Sequence, residues 1–413
     1  MSGWPIHAIK DIAVGIYDGP HATPPLSGDG PVFLGIGNVT DDGHLDLSSV
    51  RHISEKDFGK WTKRVTPRAG DIVFTYEATL NRYAIIPEGF HGCLGRRMAL
   101  IRPDTDKVDT RFLFYSFFGN EWRETIEANR LSGATVDRIP LIRFPNFPIA
   151  LPPLAVQRRI ASILGAYDDL IEVNRRRIAV LEEMARGLFE EWFVRFRFPG
   201  HEAASILDTP YGPLPQGWTW GALRDLAREV RQTVSPNDVP PDTPYVGLEH
   251  MPRRSFTLDQ HGQAEEVSSL KSRFQRGDIL FGKIRPYFHK VVWAGFDGVS
   301  STDAIVWRPV TGLAAQALAT VSSDAFVAYS VQTSNGTKMP RANTRVLAEY
   351  RCALAPSDIS SRFEDTVGPM AELCATLQAG SSRLAASRDL LLPRLISGQL
   401  SVTEAERQLE EAA

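Results

Sequence analysis

"LPPLAVQRRIASILGAYDDLIEVNRRRIAVLEEMARGLFEEWF" runs from Leu151 to Phe193. Two prolines stop what precedes it, and proline opening a helix sacrifices no intrahelical hydrogen bond. Apolar residues then recur by fours and threes: Ile160, Leu164, Tyr167, Ile171, Ile178, Leu181, Ala185, Leu188 and Trp192. That 3.5-residue period is the signature of a coiled-coil seam, and Asn174 is its one polar member, which can fix register and partner. "LAPSDISSRFEDTV" (Leu354–Val367) opens a second such helix, with Phe363, Val367, Met370, Cys374, Leu377, Leu384 and Leu391 along its seam. Ser381 and Arg388 interrupt the second copy, and Pro393 is expected to end or kink it.

Working outward, the blocks in front of the two helices repeat one another. "SGWPIHAIKDIA" from Ser2 matches "QGWTWGALRDLA" from Gln216, and "AGDIVF" from Ala69 matches "RGDILF" from Arg276. From "SGATVDRI" (Ser132) and "NGTKMPRA" (Asn335) onward, the offset stays at 203 residues. Strands are expected at 32–36, 71–76, 83–86 and 98–101, and again at 245–248, 278–281, 290–294 and 304–307. Single helices are expected over 110–131 and 314–333. The fold class is therefore α+β, a pseudo-twofold tandem of two similar mixed α/β heads joined by two long antiparallel coiled-coil helices. The segments are 1–150, 151–198, 199–355 and 356–413. A helix of about 40 residues spans roughly 60 Å, on the order of 17 base pairs of duplex.

Composition narrows the chemistry. The 413 residues carry a net charge of −3, so nucleic-acid binding has to rest on local charge. Both middle stretches are basic: 60–103 holds eight Lys or Arg against three acids, and 271–309 holds seven against three. Three scattered cysteines argue against a disulfide framework or zinc knuckle. No export signal or membrane-length apolar run is visible, which points to the cytoplasm. "FLGIG" (Phe33–Gly37) mimics a methyltransferase cofactor loop, but it reads as a strand with no good helix behind it. No phosphate-binding loop or metal-ligand spacing is present. A non-catalytic chain without cofactor or metal is expected.

"RGDILFGKIRPY" (276–287), the 151–193 helix and "LLLPRLISGQL" (390–400) resemble the specificity subunits of type I restriction–modification systems, and with the tandem plan the resemblance covers nearly the whole chain. It implies two target-recognition domains, each reading one half of a bipartite, asymmetric double-stranded DNA site. It also implies two modification subunits that carry S-adenosylmethionine and methylate adenine, and, where present, restriction subunits that use ATP and Mg. At "APSDISSR" the second helix lacks the usual Gln and basic pair, so the two partner sites need not be equivalent.

DNA reading needs phosphate-neutralising and base-edge side chains. The candidates are Tyr76, Arg82, Arg96, Arg97, Thr135 and Arg138 in the first half. In the second they are Lys283, Arg285, Tyr287, Lys290, Thr337, Lys338 and Arg341. Lys283 and Arg285, two apart on an expected strand, would face one way. Phe189, Trp192, Phe193 and Phe196, read as exposed, are candidate partner contacts, the alternative being packing under the first head. The competing functional reading is a coiled-coil scaffold whose heads bind protein or RNA.

Overall fold

The computed structural model describes residues 3–133, 136–336 and 338–412, the last four of these by backbone alone. Two compact units emerge, one comprising 1–169 with 385–413 and the other 170–384.

In the first unit an antiparallel sheet orders the strands Ala13–Asp18, Met98–Pro103, Ile72–Thr75 and Tyr83–Ile85. A second sheet pairs Ser27–Leu34 with Arg51–His52 and, in parallel, with Gly92–Leu94. Only the first two residues of "FLGIG" enter this parallel pair, Phe33 lying opposite Cys93 and Leu34 opposite Leu94; the strand ends there, and Ile36–Asn38 forms a single 3-10 turn. The second unit has the same plan. Ala227–Glu229, Ala304–Pro309, Ile279–Gly282 and Val291–Trp293 form the antiparallel sheet. Pro244–Val246 pairs in parallel with Gly298–Ser301 in the other. A short ribbon closes each unit, Ile6–Ala8 with Pro148–Ala150 and Thr219–Ala222 with Arg351–Leu354.

The Gly-Asp repeat explains why both halves fold alike. Gly70 and Gly277 hold φ of +83° and +85°, a region that suits glycine because it has no Cβ. That turn buries Asp71 and Asp278, each gripped bidentately by an arginine from the neighbouring strand, Arg102 and Arg308, at 2.7–2.8 Å. Two of the arginines counted as basic surface are thus structural.

The expected single helices are each broken in two. Thr110–Ser116 and Asn120–Asn129 flank a turn ending at Gly119, and Ala314–Val321 and Asp324–Gln332 flank Ser322-Ser323. Gly119 lies at the N-cap of one following helix and Ser323 at that of the other, and the Ser323 side chain accepts the Phe326 N–H. Apolar periodicity runs straight through such breaks and cannot reveal them.

The long helices span Leu154–Phe189 and Ser357–Ile396, each beginning one residue after its proline. Pro393 does not end the second helix, which continues to Ile396, and Ser397 N donates to Pro393 O at 3.1 Å. In the first unit Ile160, Leu164, Leu392 and Leu395 are at most 7% exposed and join the core, as do Leu400, Val402 and Ala405 from the C-terminal segment. Burying each large side chain stabilises the fold by roughly 1.5–3 kcal/mol. In the second unit the helices run antiparallel: Asn174 Nδ2 donates to Ser381 Oγ at 3.2 Å, and Trp192 and Phe193 pack on Phe363. The polar flaws in the two seams therefore satisfy one another. Asp168 is only 18% exposed and pairs with the other flaw, Arg388.

Candidate nucleic-acid interface

In each unit the strand after the Gly-Asp turn runs into a tight turn clamped by the segment before the long helix. Ile139 N donates to Tyr76 O (2.8 Å) and Ala78 N to Asp137 O (2.9 Å). In the second unit Ala342 N donates to Lys283 O and Arg285 N to Pro340 O, both at 2.8 Å. Ala78 and Arg285 both take positive φ, +70° and +49°. The strand ends at Gly282, so Lys283 and Arg285 lie in this turn and not on a strand as expected. A left-handed residue there redirects the chain, which the strand pattern did not show.

The clamps gather most of the candidates. In the first unit the Arg138 backbone pairs with that of Glu77 in an isolated β-bridge, and the Glu77 carboxylate holds Arg97 at 3.0 Å. Arg82 donates to Asp41 (2.5 Å) and Val39 O, while Arg96 is exposed and without an ion pair. Tyr76 is core: it is 5% exposed, and burial, with Asp18 nearby, pushes its phenol up to about 12. In the second unit Arg341 pairs with Asp303 at 3.1 Å, and Lys283 reaches Asp303 at 3.8 Å and also donates to Thr302 O. Lys290 is folded inward onto Leu248 O, and burial lowers its pKa. Tyr287 is 51% exposed, and Lys338 is exposed. Thr135 and Thr337 lie outside the described residues.

Among the described residues the basic character of the surface is thinner than the sequence count. Arg64, Arg82, Arg97 and Arg102 are in ion pairs in the first stretch, as are Arg276, Lys283 and Arg308 in the second. Lys60, Lys63, Arg68, Arg96 and Arg273 remain exposed without one, Lys60 lying over the Trp61 ring. Sequence reasoning missed Arg253, whose guanidinium stacks 4.1 Å from the Phe288 ring beside the second turn. The adjacent arginines in "PRRSF" were the available signal.

The aromatic residues at the end of the first long helix are not an exposed patch. Trp192 and Phe193 are 7% and 6% exposed and pack with Trp218 and Phe363 in the second unit, rather than under the first head. Phe189 and Phe196 are half-buried and line a groove with Tyr211 and Trp220. A helical period identifies the apolar face but not what covers it.

Comparison with known proteins supplies the context. Residues 27–183 match the type I restriction modification DNA specificity domain. The chain is 24% identical over 376 residues to the type I restriction enzyme MjaIX specificity subunit of Methanocaldococcus jannaschii, covering 86% of this chain and 83% of that one. It is 28% identical over 219 residues to the EcoDI specificity subunit of Escherichia coli, 48% of each chain. The crystal structure of the type I restriction–modification S subunit from M. genitalium shares the fold, with a TM-score of 0.51 at 14% identity over 95% of this chain and 96% of that one. With its duplicated heads and long paired helices, the chain is similar over most of its length to the DNA specificity subunits of type I restriction–modification systems.

Proposed function

We propose that the chain reads a bipartite, asymmetric DNA site, one half-site per head, and carries two adenine methyltransferase subunits, with restriction subunits joining where they exist. S-adenosylmethionine belongs to the methyltransferase partner, and ATP and Mg to a restriction subunit. The observation that carries this reading is the duplicated clamp. Tyr76–Ala78 and Lys283–Arg285 are held by the same pair of backbone hydrogen bonds, yet the side chains on them differ. Equal scaffolds with unequal side chains suit two different half-sites. Arg138 and Arg96 on one side, and Arg285, Tyr287, Lys338 and Arg341 on the other, are the groups offered to DNA. Arginine grips guanine bidentately, and lysine or tyrosine holds phosphate. Phe189 and Phe196, at the edge of their groove, are the apolar residues left for a methyltransferase contact.

The test is to purify the chain with its methyltransferase partner and map the methylated motif. Arg285→Glu is expected to reduce methylation at least tenfold, a base or phosphate contact being worth about 1–3 kcal/mol. Methylation of the same motif at the wild-type rate by both Arg285→Glu and Arg138→Glu would remove these turns from the interface. Capture of RNA or protein by the heads, with no preferred DNA sequence, would favour the scaffold reading instead.

A further inference from the structure

The second head is fastened to a long helix by a carboxylate that has no ion-pair partner among the described residues. Glu182 is 5% exposed, and its Oε1 accepts from Ser255 Oγ (2.8 Å), Phe256 N (3.1 Å), Thr257 N (3.0 Å) and Thr257 Oγ1 (2.7 Å). A buried charge is costly unless hydrogen bonds replace its water, and here one three-residue strip supplies all four donors. The strip's position is therefore tied to that of the helix.

The strip in turn supports the second reading turn. Arg254 N donates to His289 O (2.9 Å), and Trp293 N donates to Phe256 O (2.8 Å). Arg253 covers the Phe288 ring. On the other side the His289 ring lies 2.8 Å from Ser322 O, and Phe288 N donates to Arg285 O (2.9 Å). Arg285, part-buried, and Tyr287, exposed, thus sit in a turn whose neighbour His289 is hydrogen-bonded to the strip that Glu182 holds. In the first unit the matching position, 203 residues on, is Ala385, which has no carboxylate.

We infer that Glu182 is a positioning residue for sequence reading by the second head alone: through Ser255–Thr257 it fixes where the Arg285–His289 turn stands, and so sets base discrimination in that half-site. The inference rests on the proposed reading of that turn. Hydrogen-bond contacts to bases discriminate by about 1–3 kcal/mol, and their geometry is lost when the supporting backbone shifts.

The experiment selects bound sequences from a DNA pool randomised in both half-sites. It uses the assembled complex carrying wild-type chain, Glu182→Ala, Glu182→Gln, or Ser255→Ala with Thr257→Val. Glu182→Ala is expected to lose about tenfold or more of base discrimination in one half-site and none in the other. Glu182→Gln, which keeps an acceptor oxygen, recovers most of it, and the double variant loses less than Glu182→Ala. The untouched half-site separates positioning from general damage. Unchanged discrimination in Glu182→Ala overturns the inference alone, as does equal loss in both half-sites. If Glu182→Ala fails to fold, a wild-type motif from the double variant overturns it. A wild-type complex that selects no sequence overturns the functional reading and this inference with it.

Discussion

The two units build the same four-stranded antiparallel sheet in the same order, beside second sheets of three and five strands, but are fastened to the long helices by different chemistry. In the first unit Gln157, 2% exposed, accepts from Asp109 N at 2.9 Å and donates to Pro152 O at 2.8 Å. Asp169 holds Arg111 at 2.7 Å, and Asp168 joins Tyr115 and Arg388. In the second unit the residue matching Gln157 is Ser360, and the tie passes instead to Glu364, which accepts from Ala315 N at 2.9 Å. The positions matching Asp168 and Arg388 are Ala371 and Ala185, both at most 5% exposed in an apolar core. The departure in "APSDISSR" is thus answered within this chain: the task of Gln157 moves one turn along the helix to a different side chain. A duplicated scaffold preserves its apolar pattern, whereas its polar fasteners can be exchanged provided every buried group keeps a partner.

That contrast can be broken most severely at Ala371. Ala371→Asp puts a carboxylate where no arginine waits, and the expected cost is roughly 3–5 kcal/mol, read as a lower urea midpoint for the chain. A midpoint within experimental scatter of wild type would mean that the two helix pairings tolerate the same residues. Next comes Asp168→Asn, which leaves Arg388, itself 11% exposed, with Asp389 as its remaining carboxylate partner at 2.8 Å; the expected loss is about 2 kcal/mol, that of a hydrogen bond to a charged group. Replacing both partners, Asp168→Leu with Arg388→Met, should restore most of it and bring the first unit's pairing toward the apolar type of the second. If the double variant is as unstable as the single one, the ion pair is not what distinguishes the units.

The smallest effect concerns pH. Burial raises the Glu364 pKa above its ordinary 4.5, against the Ala315 and Ala314 N–H groups that lower it. Its folded form therefore holds a proton more tightly than its unfolded form. The corresponding stabilisation is present below pH 4.5 and fades as pH rises through the raised value. Glu364→Gln keeps an acceptor for Ala315 N but cannot titrate. The wild-type chain should accordingly lose stability relative to this variant as pH rises above 4.5, as followed by thermal unfolding. Parallel curves would show that Glu364 is not a buried titrating group.

Much of the fold was legible because it follows from local rules. The 3.5-residue seam announced the helices, the prolines their starts, and the Gly-Asp repeat the duplicated strand entry. The site was less legible. Tyr76 has the composition of a surface contact but sits in the core, and Lys290 points its ammonium inward to Leu248 O. Charge counts assign no partners, so Arg102 and Arg308 enter the count of basic residues although Asp71 and Asp278 hold them.

By itself the sequence determined the tandem plan, the two long helices and the family resemblance, since periodicity and repeated spacing depend only on neighbours along the chain. Only the tertiary structure decided which flaws cancel, Asn174 with Ser381 and Asp168 with Arg388, each pair more than 200 residues apart. It also decided that a lone carboxylate, Glu182, holds a strip some 75 residues away. The physical reason is that a polar side chain's effect depends on what meets it after folding, and no pattern of nearest neighbours contains that information.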